Sequence, residues 1–114
     1  MKRISQQEIN RKIANHKHWI DEDVRDWQKM KADFSNLDLS NRTFDKSQLW
    51  MANFNGANLS GAVFTDCALQ ETIFNGADLE GATLINCDLD TALFYDADMS
   101  KAKFQFCNLG RIKV

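Results

Sequence analysis

Proline is absent from these 114 residues, histidine occurs twice and cysteine three times. Each scarcity excludes something. A chain without proline leaves every backbone amide free to donate, which suits extended backbone stacked through its peptide groups. Three cysteines are an odd number, which suits free thiols in a reducing compartment and predicts a cytoplasmic protein. No apolar run approaches the ~18 residues of a membrane span, and the first residues lack a secretory apolar core, so no membrane association is expected. There is no phosphate-binding loop, nucleophile elbow or Cys/His dyad. The charges are nearly balanced, 14 basic against 16 acidic, but unevenly placed: residues 1–30 carry a net +2 and residues 31–114 a net −4. An acidic body argues against direct binding of nucleic acid.

What the chain has is register. Every fifth residue from Phe34 to Leu109 is Phe, Leu or Met, sixteen times without a gap. Neither a 3.6-residue helix nor a two-residue strand period produces this spacing, so it marks a repeat architecture. Two positions before each centre the residue is usually small, as at Ala52, Ala57, Ala62, Cys67, Thr72 and Ala77. On extended backbone, residues two apart point the same way, so each unit turns one large and one small side chain inward. Centres twenty apart also match: Phe34, Phe54, Phe74 and Phe94 form one column, and Cys67, Cys87 and Cys107 share another. Residues twenty apart therefore stack. Four units make a lap and sixteen make about four laps, a body roughly 20 Å tall at ~4.8 Å per layer. Asn36, Asn41, Gly56, Gly61, Gly76 and Gly81 end their units, where a tight corner needs positive φ. Asp and Asn crowd the position before the centre (Asp33, Asp38, Asn53, Asn58, Asp78, Asp88, Asp98, Asn108), placed to bond nearby backbone.

Ala-Asn-Phe-Asn-Gly, Ala-Asn-Leu-Ser-Gly, Ala-Asp-Leu-Glu-Gly and Ala-Asp-Met-Ser-Lys, from residues 52, 57, 77 and 97, resemble the A-[DN]-L-x-x consensus of pentapeptide-repeat proteins. The resemblance covers about residues 32–111. It implies a mainly β fold, a right-handed quadrilateral β-helix with the centres and small residues inside. It also implies a second function class, because some members mimic DNA, bind DNA gyrase and affect quinolone sensitivity. The first lap departs from the pattern at Leu37, Arg42 and Ser47. A buried unpaired Arg42 would be costly, so that corner is expected to be distorted or covered by the N-terminal segment.

Residues 1–30 read as an α-helical cap on a 31–114 repeat body. Ser5-Gln-Gln-Glu8 has the capping-box pattern with Ile4 and Ile9 as its staple, and the apolar stripe continues through Ile13 to Ile20. This predicts a helix over residues 5–20, with Asp21-Glu-Asp capping a short second turn through Val24, Trp27 and Met30. Open solenoid ends expose apolar interior and strand edges, which caps must cover. His16-Lys-His-Trp-Ile20 also resembles a leader found before many pentapeptide arrays, again as cap.

Few residues invite chemistry. His16 and His18 lie two apart on a helix and point to different sides, so a shared metal needs outside ligands. The cysteine column fits the small inward site as inert thiols; three stacked thiolates are poorly shaped for tetrahedral metal. The reading is a non-enzymatic structural or protein-interaction module, with no catalytic residue, cofactor or metal and with its protein partner unidentified. The candidate interaction surface is the acidic ladder Asp38, Asn58, Asp78 and Asp98, which would also serve a DNA mimic directed at gyrase or another type II topoisomerase. Outward positions turn apolar toward the C-terminal end at Ile73, Leu93, Tyr95, Ile85, Phe106, Ile112 and Val114. That end predicts self-association, most simply a two-fold homodimer end to end.

Overall fold

The computed structural model describes all 114 residues. In chain order they form β1 (Lys2–Arg3), α1 (Gln6–Asp21), a 3-10 turn (Trp27–Lys29), β2 (Leu37–Asp38), β3 (Thr43–Asp45), β4 (Val63–Thr65), β5 (Thr83–Ile85) and β6 (Lys103–Gln105). Strands β3, β4, β5 and β6 make a parallel sheet in which Phe44 pairs with Phe64, Phe64 with Leu84, and Leu84 with Phe104. Parallel bridges at the same twenty-residue offset run along the other columns, such as Asp33 to Asn53 and Gln48 to Ala68. The body is thus a β-helix-type solenoid beside a single helix. We refer to the units centred on Phe34, Leu39, Phe44 and Leu49, with those stacked on each, as the first to fourth walls.

The five-residue units fold as they do for two local reasons. All eight Asp and Asn residues before the centres accept a hydrogen bond from the backbone N–H two residues later, at 2.9–3.0 Å. This turn-forming bond satisfies a donor that the stacked ladder leaves free. The third wall alone lacks such a residue, having Thr43, Val63, Thr83 and Lys103 there, and it alone forms a continuous sheet. Its β-branched residues favour extended backbone.

Every corner adopts positive φ. The sixteen unit-final residues, from Asn36 to Arg111, lie between +51° and +68°, yet only four of them are glycine. Gly56 and Gly61 have a second constraint, because a Cβ there would fall 2.3 Å from Asn36 Oδ1 and 2.2 Å from Asn41 Oδ1. Around Gly81 nothing lies within 4 Å of that point. Gly81→Ala is therefore expected to cost about 1–2 kcal/mol from backbone strain alone, and Gly61→Ala more, with the excess removed in a Gly61→Ala/Asn41→Ala pair. Urea denaturation of the three variants checks the order.

Inside, the walls meet in a column of rings. Phe34 stacks on Phe54 (4.8 Å), Phe54 on Phe74 (5.1 Å) and Phe74 on Phe94 (4.9 Å). Third-wall Phe44 and Phe64 stack in turn at 4.4 Å and meet the first-wall rings edge-on, as in the 83° contact of Phe34 with Phe44. First and third walls thus face each other across the core. The leucines of the second and fourth walls fill the remaining sides, and the centres from Phe34 to Phe94 are at most 1% exposed.

The cap seals the first lap. Helix α1 begins one residue later than the sequence predicts and ends at Asp21; Ser5 Oγ accepts from Glu8 N–H, and both staple residues Ile4 and Ile9 are buried. The second turn begins at Trp27 rather than Val24: Glu22 and Asp26 both take positive φ, which interrupts the helical run, and no side chain caps the turn. Strand β1 pairs in parallel with β2, covering Leu37. Arg42, anomalous in its column, donates from Nε to Ile4 O at 3.1 Å, while Ser47 Oγ donates to Asp45 O at 3.0 Å. The Gln6 carboxamide stands in for a missing strand, donating to Thr43 O (2.6 Å) and accepting from Thr43 N–H (3.0 Å). His16 does the same elsewhere. It is fully buried, accepts at Nδ1 from Ala32 N–H (2.8 Å), and therefore carries its proton on Nε2, which donates to Trp50 O (2.7 Å). Its ring stacks on Trp19 at 5.2 Å, and Trp19 leans on Trp50 at 5.6 Å.

Candidate interaction surfaces

Asp38, Asn58, Asp78 and Asp98 stack on the second wall as successive parallel bridges. Their Oδ1 atoms are all committed to backbone turns. Asp38 also pairs with Arg3 Nη1 at 3.1 Å and is thereby neutralised by the cap. Ser40 and Ser100 hold the Asp38 and Asp98 carboxyls below the usual carboxylate range, through hydroxyl and backbone N–H bonds, with Arg3 adding to the effect at Asp38. Asn58 carries no charge. The negative charge of the ladder is therefore concentrated near one end, where the carboxylates of Asp78, Asp98 and Glu80 lie within 4.8 Å of one another. Glu80 escaped the column reading because it sits after its centre rather than before it. Its outward position two residues beyond Asp78 was the available signal. Such a triad can attract cations or a basic protein surface; its members are half to fully exposed.

The apolar candidates divide. Ile73 and Leu93 bridge each other on the first wall and, with Met51, Glu71, Thr91 and Lys113, line a shallow cleft of about 380 Å³. Tyr95, on the same wall, is 44% exposed and donates its N–H to Asn75 Oδ1 (3.0 Å). Ile85 lies in β5 and Phe106 just beyond β6, both on the facing third wall, so they share no surface with Ile73 and Leu93. Ile112 packs against the core, and Val114 is 75% exposed. The interior itself opens in this last lap: Met99 and Phe104 are half-buried, and Leu109 is 39% exposed.

The Pentapeptide repeats profile matches residues 32–70 and 77–112, in 8 copies. The chain belongs to the pentapeptide-repeat family. No curated protein matches it. Among solved structures it is similar to three forms of QnrB1, a plasmid-mediated fluoroquinolone resistance protein. Two trypsin-treated variants show 29% and 28% identity with TM-scores of 0.67 and 0.69, covering 70% and 72% of this chain and 42% of theirs. The full-length form shows 26% identity and a TM-score of 0.66, over 70% of this chain and 45% of that one. The chain thus spans under half the length of the QnrB1 chains it matches.

Within this pentapeptide-repeat body the cysteines occupy the small inward site of the fourth wall. Cys67 and Cys87 are buried and Cys107 half-buried; each thiol donates to the carbonyl 23 residues earlier, at 3.2–3.5 Å. The adjacent Cys67 thiol and burial push Cys87 up and burial pushes Cys107 up, whereas the hydrogen bond with Cys87 holds Cys67 down. His18 bonds Asp23 on the surface (2.8 Å), separate from the buried His16. No helix is long and apolar enough to cross a membrane.

Proposed function

We propose that this pentapeptide-repeat chain is a non-enzymatic, cytoplasmic protein-interaction module, about four right-handed squared coils closed at one end by a helical cap. The observation that carries this reading is the filled interior. The bulky centres from Phe34 to Phe94 are sealed to 1% exposure or less, leaving recognition to the outward columns and the open last lap. On those columns Asp78, Glu80 and Asp98 bring three carboxylates within 4.8 Å of one another. Affinity capture from the native lysate, with Asp78→Lys/Asp98→Lys as control, is expected to recover a partner that the charge-reversed protein loses. Turnover of a substrate by the purified chain, abolished by a single surface substitution, would sink the non-enzymatic reading.

A second reading is a DNA mimic acting on gyrase or another type II topoisomerase. It is favoured by the carboxylate cluster together with the likeness to a fluoroquinolone resistance protein. In a gyrase supercoiling assay, added protein should alter the activity and the charge-reversed variant should not. Absence of any effect at micromolar excess removes this reading.

We also propose a homodimer through the C-terminal end, formed around Phe106, Leu109 and Val114, where apolar interior meets solvent. Light scattering at high concentration is expected to give twice the chain mass, reverting to one chain in Phe106→Asp. A wild-type monomer refutes it.

A further inference from the structure

The cap holds a cluster of cations that the acidic body does not neutralise. A polar cleft of about 280 Å³ lies where α1, the 3-10 turn and the first unit meet, and three of its seven lining residues are Lys12, Lys29 and Lys31. None of the three forms an ion pair; the salt bridges of the molecule are Arg3–Asp38, Lys17–Asp21, His18–Asp23 and Arg111–Asp90. Two of the ammonium groups are held by uncharged contacts instead. Lys12 Nζ donates to Asp33 O at 3.2 Å and sits 5.9 Å from the centre of the Phe34 ring. Lys31 Nζ lies 5.3 Å from the Trp19 ring. Carbonyl and aromatic faces restrain a lysine without cancelling its charge.

The one carboxylate in the cleft, Asp33, is close enough to be stabilised by Lys12 and Lys31, but its single charge offsets only part of theirs, and it is bonded within its own turn. Its Oδ1 accepts both Ser35 N–H (2.9 Å) and Ser35 Oγ–H (2.6 Å). Three cations against one engaged carboxylate leave a surplus of positive charge, with Lys12 retaining two unspent donors and Asn15 adding an amide at the rim. The volume accommodates a compact anion rather than an extended chain.

We propose that this cleft is a binding site for a small multiply charged phosphate, either inorganic or the terminal group of a nucleotide. Lys29 and Lys31 supply the charge from the exposed side, and Lys12 supplies directed N–H donors from the helix. The acidic second wall takes no part, so the proposal is independent of any protein partner.

The test is an NMR titration of the full-length chain, labelled with nitrogen-15, against orthophosphate, pyrophosphate and adenosine monophosphate at constant ionic strength set by chloride. Saturable shifts confined to the amides of residues 29–33 and to α1 are expected, with binding at least tenfold weaker in Lys29→Gln/Lys31→Gln. Both lysines are exposed, and an unchanged thermal midpoint in buffer without phosphate confirms that the variant folds. Lys101→Gln/Lys103→Gln, at the other end, should bind as the wild type does. The tightest of the three probes identifies whether a free or an esterified phosphate is preferred. Linear, unsaturable shifts, or equal affinity in the Lys29/Lys31 variant, would overturn the proposal.

Discussion

Replacing His16 with alanine is expected to destabilise the protein by about 3–4 kcal/mol, as measured by urea denaturation. Two backbone groups lose their partner on the cap side: the buried Ala32 N–H, now bonded to Nδ1, and the part-buried Trp50 O, now bonded to Nε2. Each unsatisfied buried group costs about 1–3 kcal/mol, and the contact with Trp19 is lost as well. These bonds join α1 to the first and fourth walls at once, so the damage should reach the docking of the whole cap. The isolated loss of an exposed histidine would do little of this. A loss below about 1 kcal/mol would mean that the cap is held by its apolar staple alone.

The same site makes stability depend on pH in a window set by histidine. Burial, with Lys31 adding a smaller push, lowers the His16 pKa below its ordinary value, although the Trp50 carbonyl opposes this. The unfolded chain therefore takes up the proton first as pH falls. The stabilisation is fully present above the unfolded value of about 6.5 and is lost below it, at up to ~1.4 kcal/mol per pH unit, until the folded value is passed. Protonation at Nδ1 would set a proton against the Ala32 N–H, so the folded state cannot accept it without opening. The gap between wild type and His16→Ala should narrow between pH 7 and pH 5. A gap independent of pH would contradict this geometry. Asp33, Asp38 and Asp98 titrate in a separate window: their depressed values contribute stability that is lost only as pH falls below about 4.

Phe54→Ala should be costlier still, about 4–5 kcal/mol. Phe54 is fully buried, lies between Phe34 and Phe74 at 4.8 and 5.1 Å, and meets the edges of Phe44 and Phe64 at 5.6 and 5.9 Å. Collapse into the space left behind is resisted by the backbone, since Phe54 N–H donates to Ile73 O (2.7 Å) and Asn53 N–H to Ala32 O (3.2 Å). Sites that cannot relax retain a larger cavity and pay the upper end of the range. Phe104→Ala, at a half-buried centre in the last lap, should cost less than half as much. Equal losses at the two positions would show that the ring column adds nothing to simple burial. Because each lap contacts only its neighbours, the Phe54 variant should also lose cooperativity, visible as a lower urea m-value.

The five-residue register placed Phe54 above Phe34 and beneath Phe74. The turn-forming role of Asp33, Asp38 and their six counterparts was also legible, as was the Ser5 cap of α1. These contacts recur at a fixed separation or lie within four residues, so they leave a periodic or local trace in composition. Positive φ was anticipated at glycine and asparagine corners. Met51 and Thr91 adopt it as well, because their N–H groups bond Gln70 O and Gly110 O of the next lap and this outweighs the local strain. The two histidines looked equivalent by composition, and only folding buried His16 while leaving His18 at the surface with Asp23.

What tertiary structure alone decided are the contacts that occur once. Gln6 meets Thr43 across 37 residues and His16 meets Trp50 across 34, separations that belong to no repeat. Folding also separated Ile85 and Phe106 from Ile73 and Leu93, and it drew Glu80 in beside Asp78 and Asp98. By itself the sequence determined which side chains face inward and what lies above what, since identical layers must stack in register to bury their centres. Where the cap docks, which charges remain unpaired and where the tube opens depend on single long-range packing choices, and only the folded chain makes them.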